Sequence, residues 1–200
     1  MTDYYTIEKV GIAEFKDRGS KFIATAFPMA TALEFKTKLN ELKKEHPKAV
    51  HLCFAYRIGT KGDEFRLNDD GEPSGSAGKP ILGQIDSKKL INVGIIVIRY
   101  FGGTLLGVPG LINAYKTAAA LCLQTIPVVQ KPIMIQFQVE FDYNAQNEVM
   151  QLLKQCKCEI LESNINLFSI LKFGVPVVRE QELVFKIKEM RNIELKKILC

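Results

Sequence analysis

Two runs of β-branched and aromatic residues limit what this chain can become. Residues 93–101 read VGIIVIRYF, the strongest strand signal in the sequence, and residues 49–58 read AVHLCFAYRI, almost wholly apolar. Neither run alternates between apolar and polar side chains, which marks a strand buried in a core. The chain has the material to bury them: of its 200 residues 47% are hydrophobic and 24% are charged, ordinary globular values. That length allows one large domain or two small ones. The longest apolar stretch, around Ile95–Ile98, is far too short to cross a bilayer, and no membrane partner is expected.

Strand and helix signals surround these runs. Residues 4–27 read as strands: Phe22, Ala24 and Ala26 alternate with Ile23, Thr25 and Phe27, and Arg18-Gly19-Ser20 is a turn. Residues 30–45 carry a helical period, with Ala32, Phe35, Leu39 and Leu42 on one face and Lys36, Lys38, Lys43 and Lys44 largely elsewhere; Pro47 ends it. Residues 59–79 read as a long polar loop, 81–90 as a short helix, and 111–125 as a helix with Leu111, Tyr115, Ala118, Ala119 and Cys122 in line. Pro127 and Pro132 bracket a natural linker. Beyond it come strand 133–141, helix 143–155, strands 158–165 and 167–173, helix 178–191 and strand 193–199, the βαββαβ order of a split-βαβ or ferredoxin-like domain. The expectation is an α+β protein of two domains, 1–128 and 133–200, joined at 129–132.

Basic side chains exceed acidic ones by five. That mild excess permits nucleic-acid binding without requiring it. The start, MTDYYTIEKVG, has no basic region followed by an apolar stretch, so no secretory signal is expected. Five cysteines, at 53, 122, 156, 158 and 200, are scattered and odd in number, and Cys156 and Cys158 form C-x-C instead of the C-x-x-C of a zinc site. Reduced thiols and a cytoplasmic location are expected, with no metal and no cofactor.

Two glycine-rich segments carry the chemistry. NDDGEPSGSAGKP, residues 68–80, sits in the long loop, where an extended stretch without structure is uncommon unless functional or mobile. RYFGGTLLGVPG, residues 99–110, follows a buried strand and opens a helix, a junction with free N–H groups that suits an anion. A P-loop would need Gly at 73 and Ser or Thr at 80, where this chain has Pro73 and Pro80, so that motif is rejected. PSGSAG is weakly similar to the phosphate loop of galactokinase-type kinases, but the rest of that signature is missing.

Taken together, AVHLCFAYRIG, NDDGEPSGSAGKPIL and NVGIIVIRYFGGTLLGVPGLINAY closely resemble the IMPACT/YigZ family. Its run is H-x-C-x-A-Y, then D-D-G-E-P-x-G-[ST]-A-G-x-P-[IL], then R-[YF]-F-G-G-x-x-L-G-x-G-G-L. The resemblance covers residues 15–126 in detail and the C-terminal domain more loosely. It implies an N-terminal domain like domain IV of elongation factor G, a sheet with helices on one face and a left-handed βαβ crossover. It implies a C-terminal ferredoxin-like domain like domain V of that factor. It also implies a translation-associated role: eukaryotic members compete for a ribosome-associated activator of a kinase, and proteins of these folds often touch RNA. This chain departs from the family at Pro109, where many relatives have Gly, and at Asn113, where many have Arg. The first removes an N–H and the second a phosphate contact, and both weaken a phosphate-binding reading.

Each candidate residue has a structural reading beside the functional one. Asp69, Asp70 and Glu72 could hold a cation, or could cap backbone N–H groups and pair with Arg66 and Arg99. Ser74, Ser76 and Lys79, with Gly71 and Gly78, could contact a phosphate or form a loop packed on Gly102 and Gly103. His51 could be a base facing Asp70 or a satisfied core histidine. Cys53 shares its side, but strand neighbours two apart sit roughly 6.5–7 Å from each other, too far for a Cys–His nucleophile. Tyr56, Tyr100 and Phe101 read as core or as base-stacking rings. The leading expectation is a binding module whose ligand or partner pocket joins His51, residues 69–79, Arg99, Gly102, Gly103 and Gly107. Lys36, Lys38, Lys43 and Lys44 form its nucleic-acid face, and its partners are RNA, the ribosome or a regulatory protein. The alternative is an enzyme or binder of a small phosphorylated ligand at the same pocket.

Overall fold

The structure, a computed structural model, describes residues 1–166 and 168–198. The chain divides into two compact units, Tyr4–Lys131 and a second formed by Met1–Asp3 with Pro132–Cys200.

The larger unit runs β1 (Asp3–Ile7), β2 (Gly11–Asp17), β3 (Ser20–Pro28), α1 (Ala32–Glu45), β4 (His51–Ile58), β5 (Glu64–Asn68), α2 (Gly78–Ser87), β6 (Val93–Tyr100), α3 (Gly107–Gln124) and β7 (Val128–Pro132). Five strands form one sheet in the order β2-β3-β6-β4-β5, and every neighbouring pair is antiparallel. The two apolar runs are β4 and β6, paired from His51↔Arg99 to Arg57↔Val93 in the middle of the sheet.

Helices cover both faces of this sheet, not one as the family resemblance implies. On one face Phe22, Ala24, Ala26, Cys53, Ala55, Val93, Ile95 and Val97 pack under α2 and α3. On the other, Phe27, Leu52, Phe54, Tyr56, Ile96 and Ile98 pack with Phe35 and Leu42 of α1. The residues follow the load. Small side chains let two helices sit close, and large ones fill the space left by a single helix. Two covered faces are why β4 and β6 read as unbroken apolar runs.

α1 starts where the sequence says a helix should. Thr31 accepts a hydrogen bond from the Glu34 amide at 3.2 Å, and the Glu34 carboxylate accepts from the Ala30 amide at 2.8 Å, a variant of the capping box. The expected loop 59–79 is not structureless: it contains β5, paired antiparallel with β4 from Phe54↔Asn68 to Ile58↔Glu64. This edge strand hides in the sequence because Glu64, Phe65, Arg66 and Asn68 are all exposed. α2 starts three residues earlier than its apolar period, and α3 four earlier, because both open on glycine-rich turns. Residues 129–132, expected as a linker, lie in β7, which pairs with β1.

The smaller unit runs β8 (Met134–Asp142), α4 (Gln146–Gln155), β9 (Glu159–Asn164), β10 (Phe168–Pro176), α5 (Glu180–Glu189) and β11 (Ile193–Lys197), a βαββαβ order. Its sheet is β11-β8-β10-β9, antiparallel throughout. Phe137, Val139, Phe141, Leu171, Phe173 and Val175 meet Val149, Leu153, Leu183 and Ile187 of the helices in its core. The expected strand positions 167 and 199, and Cys200, lie outside the described residues. Among the described residues Cys53, Cys122, Cys156 and Cys158 are free thiols, and no helix is long and apolar enough to cross a membrane.

Candidate functional site

The 68–80 segment is built around Asp69. Its carboxylate accepts from the amides of Gly75 at 2.8 Å, Ala77 at 3.0 Å and Gly78 at 2.8 Å. Ala77 stands at the N-cap of α2 and has no side-chain acceptor, so Asp69 caps that helix from eight residues away. The Glu72 amide bonds to the Asp69 carbonyl and the Ser76 amide to the Pro73 carbonyl, closing two successive turns. Asp70 ties the loop to β4: its Oδ2 accepts from the Leu52 amide at 2.6 Å. The left-handed backbone at Asp70 and Gly71 turns the chain there, with φ of 44° and 90°.

His51 Nδ1 lies 2.7 Å from the Asp70 carbonyl oxygen. A carbonyl only accepts, so Nδ1 carries a proton and Nε2 faces the Glu72 carboxylate at 4.0 Å. Glu72 is buried and receives two donors on Oε1: Arg99 Nη1 at 2.6 Å and the Tyr115 hydroxyl at 2.7 Å. The Cys53 thiol lies 3.2 Å from the Tyr115 oxygen and 3.0 Å from the Asp69 carbonyl. Arg99 lies over the rings of Phe22 and Phe101, with centroids at 5.5 and 5.6 Å. Ser20 Oγ holds the far side, 3.5 Å from Arg99 Nη2 and accepting from the Gly102 amide at 3.2 Å. Gly102 is forced: a Cβ there would lie 1.9 Å from the Gly19 carbonyl carbon.

Glu72 and Arg99 therefore join the two glycine-rich segments through a buried ion pair. Arg99 pairs with Glu72, not with Asp69 or Asp70, whose side chains serve backbone amides. Burial pushes the Cys53 thiol and the Tyr115 hydroxyl well above their ordinary ranges. A thiolate at Cys53 is strongly disfavoured, which excludes it as a nucleophile near neutral pH. Two buried atoms have no hydrogen-bond partner among the described residues: Ser76 Oγ and Arg99 Nε. Ser74 and Lys79 are exposed, and Gly103 and Gly107 shape the exposed turn that opens α3. Gly78 packs against the Asn68 backbone. The sequence reading missed Tyr115 and Ser20 as members of this network. Tyr115 gives one signal, a hydroxyl on an otherwise apolar helix stripe.

The lysines of α1 lie on the opposite face of the sheet from this network. Lys36, Lys43 and Lys44 are exposed, and Lys38 is half-buried in a 3.0 Å pair with Glu41. Lys36 and Lys43 line a cavity of about 680 Å³ between α1 and the β4–β5 hairpin, with Arg66 on its other wall. Leu39, Leu52 and Phe54 also line it. Lys38 and Lys44 do not.

Residues 18–123 match the family model described as the Impact N-terminal domain. The chain belongs to the IMPACT family. It is 32% identical to the IMPACT family member YvyE of Bacillus subtilis (strain 168) over 97% of this chain and 98% of that one. It is 31% identical to YigZ of Escherichia coli (strain K12) over 77% of this chain and 76% of that one. The Homo sapiens Protein IMPACT is 34% identical over 46% of this chain, which is 29% of its own length. A solved structure titled as that of an hypothetical protein superimposes with a TM-score of 0.78 at 27% identity, covering all of this chain and 98% of that one. The family match spans the buried Glu72–Arg99–Tyr115 network and the cationic groove alike.

Proposed function

We propose that this IMPACT family chain is a cytoplasmic binding module of the translation apparatus, contacting RNA, the ribosome or a regulatory protein, and not an enzyme. One observation carries the reading. The groups best suited to chemistry hold one another in a buried lattice, while three cations stand together along an open groove. Asp69 caps a helix, Glu72 neutralises Arg99, and Cys53 is kept protonated by burial. Lys36, Lys43 and Arg66 line a groove and make no ion pair among the described residues. The likeness to domains IV and V of elongation factor G that the motifs imply supports the same reading by analogy. The test is co-sedimentation of the full chain with purified ribosomes, and with mixed RNA, across a salt series. Salt-dependent association weakened by charge reversal in the groove is expected. No association at low salt would overturn direct contact with either.

A second reading rests on the unpartnered Ser76 Oγ and Arg99 Nε, which could serve a small phosphorylated ligand. Titration with inorganic phosphate and a sugar phosphate, followed by amide shifts at residues 72–79, separates the two. Saturable shifts confined to that segment would favour the ligand site.

A further inference from the structure

From the cationic groove of the larger unit we infer a specific partner: an acidic, amphipathic helix of another protein, lying alongside α1. This deepens the binding-module reading and rests on it. One face of the five-stranded sheet carries two helices, α2 and α3, whereas the other carries α1 alone. The uncovered part of that face lies beside α1, over β4 and β5, and it is there that the cavity of about 680 Å³ opens.

Its shape follows α1. The lining residues Ala32, Lys36, Leu39 and Lys43 form one stripe of that helix. At 1.5 Å per residue the stripe is ~16 Å long, three turns of a partner helix. Where the apolar lining is open it is aliphatic, from exposed Leu33 and half-buried Leu39, with Leu52 and Phe54 buried beneath, and the rim is cationic on both sides. Lys36 and Lys43 stand seven residues apart on α1, so carboxylates at i and i+7 of a helix running alongside repeat with the same spacing. Arg66 faces them from β5. Asp70 is the one carboxylate in the lining, and its Oδ2 is engaged by the Leu52 amide. The groove thus asks for an apolar stripe flanked by acids, the helix-in-groove mode of recognition.

A single strand of RNA fits the same charges but not the floor. Sequence-tolerant binding of single strands uses exposed rings on which bases stack. Here Phe35, Phe54 and Tyr56 are 3%, 8% and 5% exposed, packed under α1.

The test is selection of a displayed library of random 16-residue peptides on the full chain. Counter-selection uses the Lys43→Glu, Arg66→Glu double variant, whose changes are at exposed positions. Selected peptides are expected to carry Asp or Glu at i and i+7 beside a Leu, Ile or Phe stripe. They should bind the double variant at least tenfold more weakly and bind Lys44→Glu, outside the groove, unchanged. Peptides without acids, or no enrichment over the double variant, would overturn the inference. So would a 12-nucleotide single-stranded RNA that displaces the peptide and binds the wild type more tightly than any peptide selected. The ribosome co-sedimentation above is scored separately. If it persists while peptide selection fails, only the partner inference falls. If ribosome and RNA binding are absent while peptides are selected, the partner inference stands without direct ribosome or RNA contact.

Discussion

At the scale of single residues, Glu72 is the hinge of the account. It is a buried carboxylate whose charge is met by Arg99 at 2.6 Å and whose second donor is Tyr115 at 2.7 Å. Removing one member of a buried pair leaves the other charge uncompensated, which costs ~3–5 kcal/mol. Glu72→Gln is therefore expected to destabilise the chain by that amount in urea unfolding, and Tyr115→Phe by ~1–3 kcal/mol. A loss below ~1 kcal/mol for Glu72→Gln would mean that the pair is not desolvated. The buried thiols make a second prediction. Burial pushes Cys122 up to about 11 from an ordinary value of 9.0. Its folded state holds the proton more tightly than the unfolded one, so its contribution is complete below pH 9 and is lost as pH rises through 11. Cys122→Ser keeps a donor for the Gly11 carbonyl and removes the titration. The variant is expected to lose less stability than the wild type between pH 9 and 11, the difference approaching ~1.4 kcal/mol per pH unit. Parallel slopes would contradict it.

At the scale of elements, a distant carboxylate starts a helix and a bare glycine lets two turns touch. Asp69→Ala removes three acceptor contacts from the start of α2. It is expected to cost ~2 kcal/mol and to speed hydrogen exchange at Gly75, Ala77 and Gly78 above the rest of the unit. Gly102→Ala drives a methyl into the Gly19 backbone and is expected to cost ~1–3 kcal/mol, read as a lowered melting temperature. Elements with strong periods were legible from the sequence. β4, β6 and the body of α3 are apolar enough that burial dictates them, and the period of Ala32, Phe35, Leu39 and Leu42 announces α1. β5 was not legible, because an edge strand with four of five residues exposed has no apolar signature. The second covered face was also missed, although the unbroken apolar runs of β4 and β6 contain the clue. At the site, spacing singled out Asp69, Asp70, Glu72 and Arg99, but it could not say which carboxylate meets the arginine. That is decided by contacts between residues 27 positions apart.

At the scale of the molecule, the buried lattice and the open groove divide the work. The glycine-rich motif sets loops and helix starts on one face of the sheet, and Lys36, Lys43 and Arg66 line the groove on the other. The groove also sets which charges matter. Arg66, which no charge run in the sequence marks, should count as much as Lys43, whereas Lys44 should not count for peptides selected on the groove. The most direct measurement is co-sedimentation of the full chain with ribosomes and with mixed RNA across a salt series, repeated with Lys36→Glu combined with Lys43→Glu. Binding is expected to fall steeply with salt and to weaken by about tenfold or more on charge reversal. Binding that ignores both salt and the reversed charges would contradict the groove as the contact surface, and no binding to either at the lowest salt would contradict direct ribosome and RNA contact.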